Sequence, residues 1–581
     1  MNFLQFSWKK AGLWGMAALL VAVLLRPTAP LAADWVAALP TAPRFNVREV
    51  VNNGQGFVIS GLDQASSPTT FFTGQSGVVT DIGDLNGDSI ADFAIGAPQT
   101  NVGAAVNAGR VYVVFGRRGG FPSGVDLNTL NGSNGFIVNG LERGDLFGAS
   151  LSGAGDVNGD GVADLIVGAP SVVYQENNRR FAGAGASYVI FGRTTGFAPV
   201  VGLNGGGVFT IFSPQPLWNA GFAVGGAGDV NGDGVDDLIV GAYDADPAGN
   251  RANGGAGYVI FGRRNLVSDA GAAQHKSFHN RILDRVLDRV VDEVEDAVRD
   301  GVSSTIRGGL SLNSINGQNG FAVAGLRSAD DVGQAVSGAG DINGDGYADV
   351  LIAGKTSATS QGSKAFVVYG GASGFSPVLR TDQLNGTNGF VIGDSGDTVG
   401  NAMALSGVGD FNGDGFDDIV LGDASAIGAP GSTGTSSGAA YLLFGRSSGF
   451  GPALNLATLN GNNGVVVIDR ARPAANLLGS SVSGAGDLNG DGLMDVVVGK
   501  PTTQAGQAIV IYGSRGAFSS VMDLNVLDGS NGLLIDGEGS PDRLGQWVSG
   551  AGDINGDGLD DLLVSSLRGR PNSLTYAIYG R

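Results

Sequence analysis

Short apolar runs rich in β-branched and aromatic residues, bounded by Gly, Asn and Asp, repeat along this chain in a fixed order. A run of small residues such as Leu151-Ser-Gly-Ala-Gly155 leads into an acidic segment, and the wholly apolar Leu165-Ile-Val-Gly-Ala-Pro170 follows it. After a loop comes a third run such as Ser187-Tyr-Val-Ile-Phe-Gly192. A fourth, such as Gly135-Phe-Ile-Val-Asn-Gly140, is introduced by an Asn-Gly turn. The acidic segment reads Asp-x-Asn-Gly-Asp-(Gly/Ser)-x-x-Asp and starts at Asp84, Asp156, Asp229, Asp341, Asp410, Asp487 and Asp553. The intervals are 72, 73, 112, 69, 77 and 66 residues, so the third carries an insertion.

Four short strands per repeat, joined by turns, predict an all-β, seven-bladed β-propeller over residues 53–581. A β-helix is the rival fold, but its repeats are far shorter. The small-residue run suits the innermost strand, where neighbouring blades crowd a channel. The Leu-Ile-Val run is apolar on both faces and suits a central strand. The alternating Phe57-Val-Ile-Ser60 type suits the outer edge. The chain ends just after a third strand, Leu574 to Tyr579, while a single fourth-strand copy, residues 56–61, precedes the first acidic segment. That copy is expected to close the last blade and leave no open edge.

Glycine supplies 102 of the 581 residues, which penalises helix almost everywhere, and it shows no three-residue period, which excludes collagen. Hydrophobic residues at 43% are enough for a sizeable core. The net charge of −20 repels nucleic acid and invites cations, and the absence of Cys excludes disulfides and thiolate chemistry. Residues 1–33 read as an export signal: Lys9 and Lys10 precede an apolar run, Ala11 to Leu25, too short to span a bilayer, and small residues follow. Residues 34–52 read as a linker. The mature chain is expected to lack a membrane span and to work outside the cell, at its surface or in a periplasm.

Within each acidic loop, positions 1, 3, 5 and 9 carry oxygen side chains and position 7 offers its carbonyl. A hard divalent cation needs six or more oxygens, and many flexible protein ligands favour Ca²⁺ over Mg²⁺. The candidate ligands are Asp84, Asn86, Asp88, Ile90 and Asp92 in the first loop and Asp156, Asn158, Asp160, Val162 and Asp164 in the second. Asp229, Asn231, Asp233, Val235 and Asp237 form the third set, and Asp341, Asn343, Asp345, Tyr347 and Asp349 the fourth. The fifth is Asp410, Asn412, Asp414, Phe416 and Asp418, and the sixth Asp487, Asn489, Asp491, Leu493 and Asp495. Asp553, Asn555, Asp557, Leu559 and Asp561 complete the seventh, giving up to seven Ca²⁺. An EF-hand is excluded, since its position 12 falls on Val167 within an apparent strand. Ser89 stands where the other loops have Gly at position 6, so the first site is expected to bind most weakly.

Taken with Phe147-Gly148 and Gly168-Ala169-Pro170, these repeats resemble the FG-GAP repeat of the integrin alpha-subunit propeller. The resemblance implies the seven-bladed fold, Ca²⁺ in the acidic loops and a role in adhesion or protein interaction. The pattern is uneven. Gly221, Gly333, Gly479 and Gly545 keep the glycine of Phe-Gly without its Phe, and Gly-Ala-Pro becomes Gly-Lys-Pro at Gly499. A carbohydrate-binding lectin, or a glycan-cleaving hydrolase or lyase on the same scaffold, is the alternative function.

The insertion, residues 264–308, departs from the repeat. Leu283, Val286, Leu287, Val290, Val291, Val294 and Val298 recur at three- and four-residue spacing and predict an amphipathic helix over 282–302. It is expected to dock on its own propeller or to associate with a partner or a second copy. No catalytic set stands out. His275 and His279 lack a third ligand nearby, and Gly434 to Gly438 matches Gly-x-Ser-x-Gly only within a loop. Arg143-Gly144-Asp145 is an adhesion tripeptide elsewhere and reads here as a chance match.

Overall fold

The computed structural model describes residues 43–61, 79–176, 179–247, 254–264, 266, 309–327, 330–355, 363–372, 374–393, 404–426, 438–470, 477–502, 504–540, 542–567 and 574–581. The export signal and the helix expected over 282–302 lie outside them. Seven five-stranded sheets form, one per repeat, and Tyr174–Glu176 pairs with Arg179–Phe181 in a separate two-stranded ribbon. In blade two the strands Ser150–Gly155, Asp164–Ala169, Ala186–Ile190 and Val208–Phe212 pair antiparallel in sequence order. Each innermost strand packs on that of the next blade and the seventh packs on the first, so the ring closes as a propeller.

Small residues at the centre have a steric cause. A Cβ on Gly226, Gly338, Gly407 or Gly484 would lie 2.7–2.9 Å from the carbonyl oxygen of the matching residue one blade back. Just outside this ring the second strands, such as Asp92–Ala97, Asp164–Ala169 and Asp237–Ala242, are buried at every residue. Further out, ring stacking joins successive blades: Phe136 on Phe197 at 4.4 Å, Phe321 on Phe375 at 4.6 Å and Phe390 on Phe450 at 4.3 Å.

The fourth strand is not the edge that its alternating pattern suggested. Each of the seven blade sheets has a fifth, two- or three-residue strand, in six cases donated by the next blade's connection between third and fourth strands. Gly124–Asp126, Val200–Val201, Leu310–Ser311, Val378–Arg380, Ala453–Asn455 and Val521–Asp523 all pair parallel with the preceding blade. Edges this short offer little template for another chain. In most of these connections a single 3₁₀ turn follows, such as Leu127–Thr129, whose Leu127 is buried.

The chain's N-terminal part supplies this connection for the last blade. Arg44–Asn46 runs parallel to the fourth strand of blade six, and the helix Val47–Asn52 buries Val47, Val50 and Val51. Gly56–Ser60 then pairs antiparallel with Leu574–Ile578 of blade seven, with Phe57 and Ile59 fully buried. Asn46 caps the helix, its Oδ1 accepting the Arg48 N–H at 3.0 Å. Residues 44–52 are therefore blade structure and not part of the linker assigned to 34–52. Among the described residues no helix is long and apolar enough to cross a membrane.

Candidate metal centres

Each acidic loop joins the first and second strands of its blade, so antiparallel order places all seven loops on one face. Their backbone folds around position 1. In the third loop the Asp229 carboxylate accepts N–H bonds from Gly232 at 2.7 Å, Asp233 at 3.0 Å and Gly234 at 2.8 Å. Asp233 Oδ1 in turn accepts the Val235 N–H at 3.0 Å. The position-4 and position-6 glycines make this turn possible, with φ of +75° at Gly232 and +80° at Gly234. Ser89 adopts the same left-handed region at φ +67°, where its Cβ is strained and the glycine of the other loops is not.

Position 9 is held differently. Asp92, Asp164, Asp237, Asp349, Asp418, Asp495 and Asp561 have no solvent exposure. In blade two, Asp164 Oδ2 accepts the Val157 N–H at 3.1 Å and Oδ1 the Gly192 N–H at 2.8 Å, tying the loop to the end of the third strand. Burial pushes the Asp164 carboxyl up to about 8, against the pull of the Gly192 N–H, and the charges of Asp160 and Asp156 add to the rise. The other six behave alike, Asp495 reaching about 7.

The loops also join blade to blade. The position-2 carbonyl accepts an N–H from just beyond the third strand of the next blade, as in Arg193 to Leu85 at 3.0 Å and Arg263 to Val157 at 3.0 Å. The ring closes on itself through Arg117 to Ile554 at 2.9 Å. In three blades an Asp at position 8 reinforces the link. Asp236, Asp417 and Asp560 accept the N–H of Asp156, Asp341 and Asp487, the position-1 residues of the preceding loops, at 2.8, 2.7 and 2.7 Å.

These loops suit a hard cation. Their donors are all oxygen, and among the described residues no loop carboxylate at positions 1, 5 or 9 forms a salt bridge. As they stand, no three Asp, Glu or His side chains among the described residues are arranged to hold a metal ion. The Asn343 and Asn412 amides instead donate to Asp345 and Asp414, each at 3.0 Å. Ligation therefore requires these amides to turn their oxygens inward, a rotation of half-buried side chains.

Other sequence features resolve on structural grounds. Asp145 of Arg143-Gly144-Asp145 is buried and accepts the Glu142 N–H at 2.8 Å, as Asp330 and Asp542 do in equivalent loops, so it presents no free carboxylate. The glycines of the two signature motifs meet across blades. A Cβ on Gly168 would lie 2.0 Å from the Gly221 carbonyl oxygen, and one on Gly499 would lie 2.2 Å from that of Gly545. The contact thus survives where the Phe of Phe-Gly or the Ala of Gly-Ala-Pro is lost. Lys500, the replacement in Gly-Lys-Pro, is buried and paired with Asp469.

Sequence reasoning missed the arginines that follow Phe-Gly or Tyr-Gly at the ends of third strands, among them Arg117, Arg193, Arg263, Arg446 and Arg581. The recurring Phe-Gly-Arg was visible, but its meaning depends on which loop the next blade brings alongside.

The model of the family described as FG-GAP repeat matches residues 76–114, 147–190, 220–260, 332–367 and 478–511. The chain is an FG-GAP, integrin alpha-like β-propeller. Phosphatidylinositol-glycan-specific phospholipase D of Homo sapiens is 36% identical over 171 residues, which is 29% of this chain and 19% of that protein. Its Bos taurus counterpart is 35% identical over 171 residues, with the same shares. Integrin alpha-V of Gallus gallus is 30% identical over 219 residues, 37% of this chain and 19% of that protein. The chain thus spans about a fifth of the length of these relatives.

Proposed function

We propose that this FG-GAP propeller is an exported, Ca²⁺-loaded adhesion or protein-interaction module. The observation that carries this reading is the sevenfold loop, with three carboxylates and no salt bridge among the described residues. Positions 1, 3, 5 and 9 and the position-7 carbonyl would hold the ion, which supplies the positive charge that each loop lacks. The role of the chain is structural. Position 9 ties each loop to its own third strand and the position-2 carbonyl ties it to the next blade, so a loop held in one shape holds the seams of the ring. The connections on the opposite face are then presented by a rigid frame. The integrin relatives support an interaction role, and the phospholipase relatives show that the same repeat accompanies a hydrolase.

Capture of the protein on immobilised cell-surface proteins and glycans, with and without Ca²⁺, tests the reading. Capture that requires Ca²⁺ supports it. Capture indifferent to a chelator contradicts it.

A further inference from the structure

The loop face also carries positive charge that no described residue neutralises. The side chains of Arg117, Arg118, Arg263, Arg264 and Arg515 are exposed and make no hydrogen bond or ion pair among the described residues. Three of them lie against acidic loops of the preceding blade. A Cβ placed on Gly159 would come within 2.8 Å of Arg264 Cγ, one on Gly413 within 2.4 Å of Arg515 Cγ, and one on Gly556 within 3.4 Å of Arg118 Cγ. An arginine beside an acidic loop ordinarily pairs with it. Here the position-1 carboxylates are already wrapped by their own backbone N–H groups, as Asp229 is, and the guanidinium groups remain available to an external anion.

At one place this face is concave. Between blades three and four, where Gly371 and Ala372 replace the arginine of the other repeats, lies a cavity of about 520 Å³. Arg263, Gln318 and the third-loop residues Asn231 and Asp233 give it polar walls, and Phe261 and Phe375 are among its apolar lining. A guanidinium fork beside an aromatic surface suits a sugar ring that bears a carboxylate: the fork takes the carboxylate and the ring covers the sugar's C–H face.

We propose that the loop face binds an acidic polysaccharide, with one uronate residue in the cavity against Arg263 and the polymer passing around the ring by Arg264 of blade three, Arg118 of blade one and Arg515 of blade six. The proposal rests on the reading of the loops as cation-loaded, because empty loops would set carboxylates beside the incoming anion. A cavity of this size favours a polymer unit over a flat anionic membrane.

The test has two arms on the full chain. Calorimetric titration with Ca²⁺ alone reports on the loops. Titration of the Ca²⁺-loaded protein with an oligogalacturonate too short to gel with Ca²⁺ reports on the arginines, with neutral dextran and phosphatidylserine vesicles as comparisons. The expected result is oligogalacturonate binding that a chelator abolishes and that Arg263→Ser, or Arg118→Ser with Arg264→Ser and Arg515→Ser, weakens about tenfold or more at unchanged melting temperature. Failure to bind oligogalacturonate, binding unchanged in both variants, or binding to the vesicles in its place overturns the proposal while leaving the Ca²⁺ reading intact. Absence of Ca²⁺ binding in the first arm overturns both.

Discussion

Position 9 shows how a single residue type can serve fold and site together. The buried carboxylates are held up near 8 by desolvation, against an ordinary value of 3.8. Between those two values the Ca²⁺-free folded chain keeps protons that the unfolded chain has released, so its stability falls as pH rises through that window. Ca²⁺ requires the ionised form and displaces those protons. Thermal scans in chelator are therefore expected to show a melting temperature that declines from pH 5 to pH 8, with the gain from added Ca²⁺ growing over the same range. A chelated melting temperature that rises with pH would contradict the assignment. At Ser89, whose φ is +67°, replacement by Gly removes left-handed strain and is expected to raise stability by about 1 kcal/mol and to tighten Ca²⁺ binding by the first loop. A lower melting temperature for Ser89→Gly would contradict this. The oxygen positions were legible because all the ligands of a site fall within nine consecutive residues, whereas Asp236, Asp417, Asp560 and the arginines act across a blade boundary that no local pattern records.

At the scale of elements, the order of strands and the spare fourth strand could be read from the alternation of apolar and polar positions. The fifth strands could not, because Gly124–Asp126 and its counterparts are too short to show a period and owe their conformation to parallel pairing with another blade. The segment from Arg44 to Ser60 looked like a linker with one strand because its helix is only six residues long and takes its stability from burying Val47, Val50 and Val51. Its contribution is measurable. Phe57 is fully buried between the last blade and the first, so Phe57→Ala is expected to cost about 3–5 kcal/mol. Gly241→Ala, whose Cβ would meet the Gly333 carbonyl oxygen at 2.1 Å, is expected to lower the melting temperature sharply by forcing blades three and four apart. Differential scanning calorimetry of the two variants checks both, and native-like melting of either would show that the seams are looser than the contacts imply.

For the whole molecule, the acidic balance and the missing Cys have one explanation. Three aspartates in each of seven loops account for 21 of the 54 acidic residues, so much of the net charge of −20 belongs to the loops that also join neighbouring blades. A chain without disulfides holds its ring by strand exchange at the ends and by these loops. The central claim, that the loops are Ca²⁺ sites on which the ring depends, is tested most directly by equilibrium dialysis against Ca²⁺ followed by a thermal scan of the loaded and chelated protein. The account predicts several Ca²⁺ per chain, up to seven, and a clear fall in melting temperature on chelation; no bound Ca²⁺, or bound Ca²⁺ whose removal leaves the melting temperature unchanged, would contradict it.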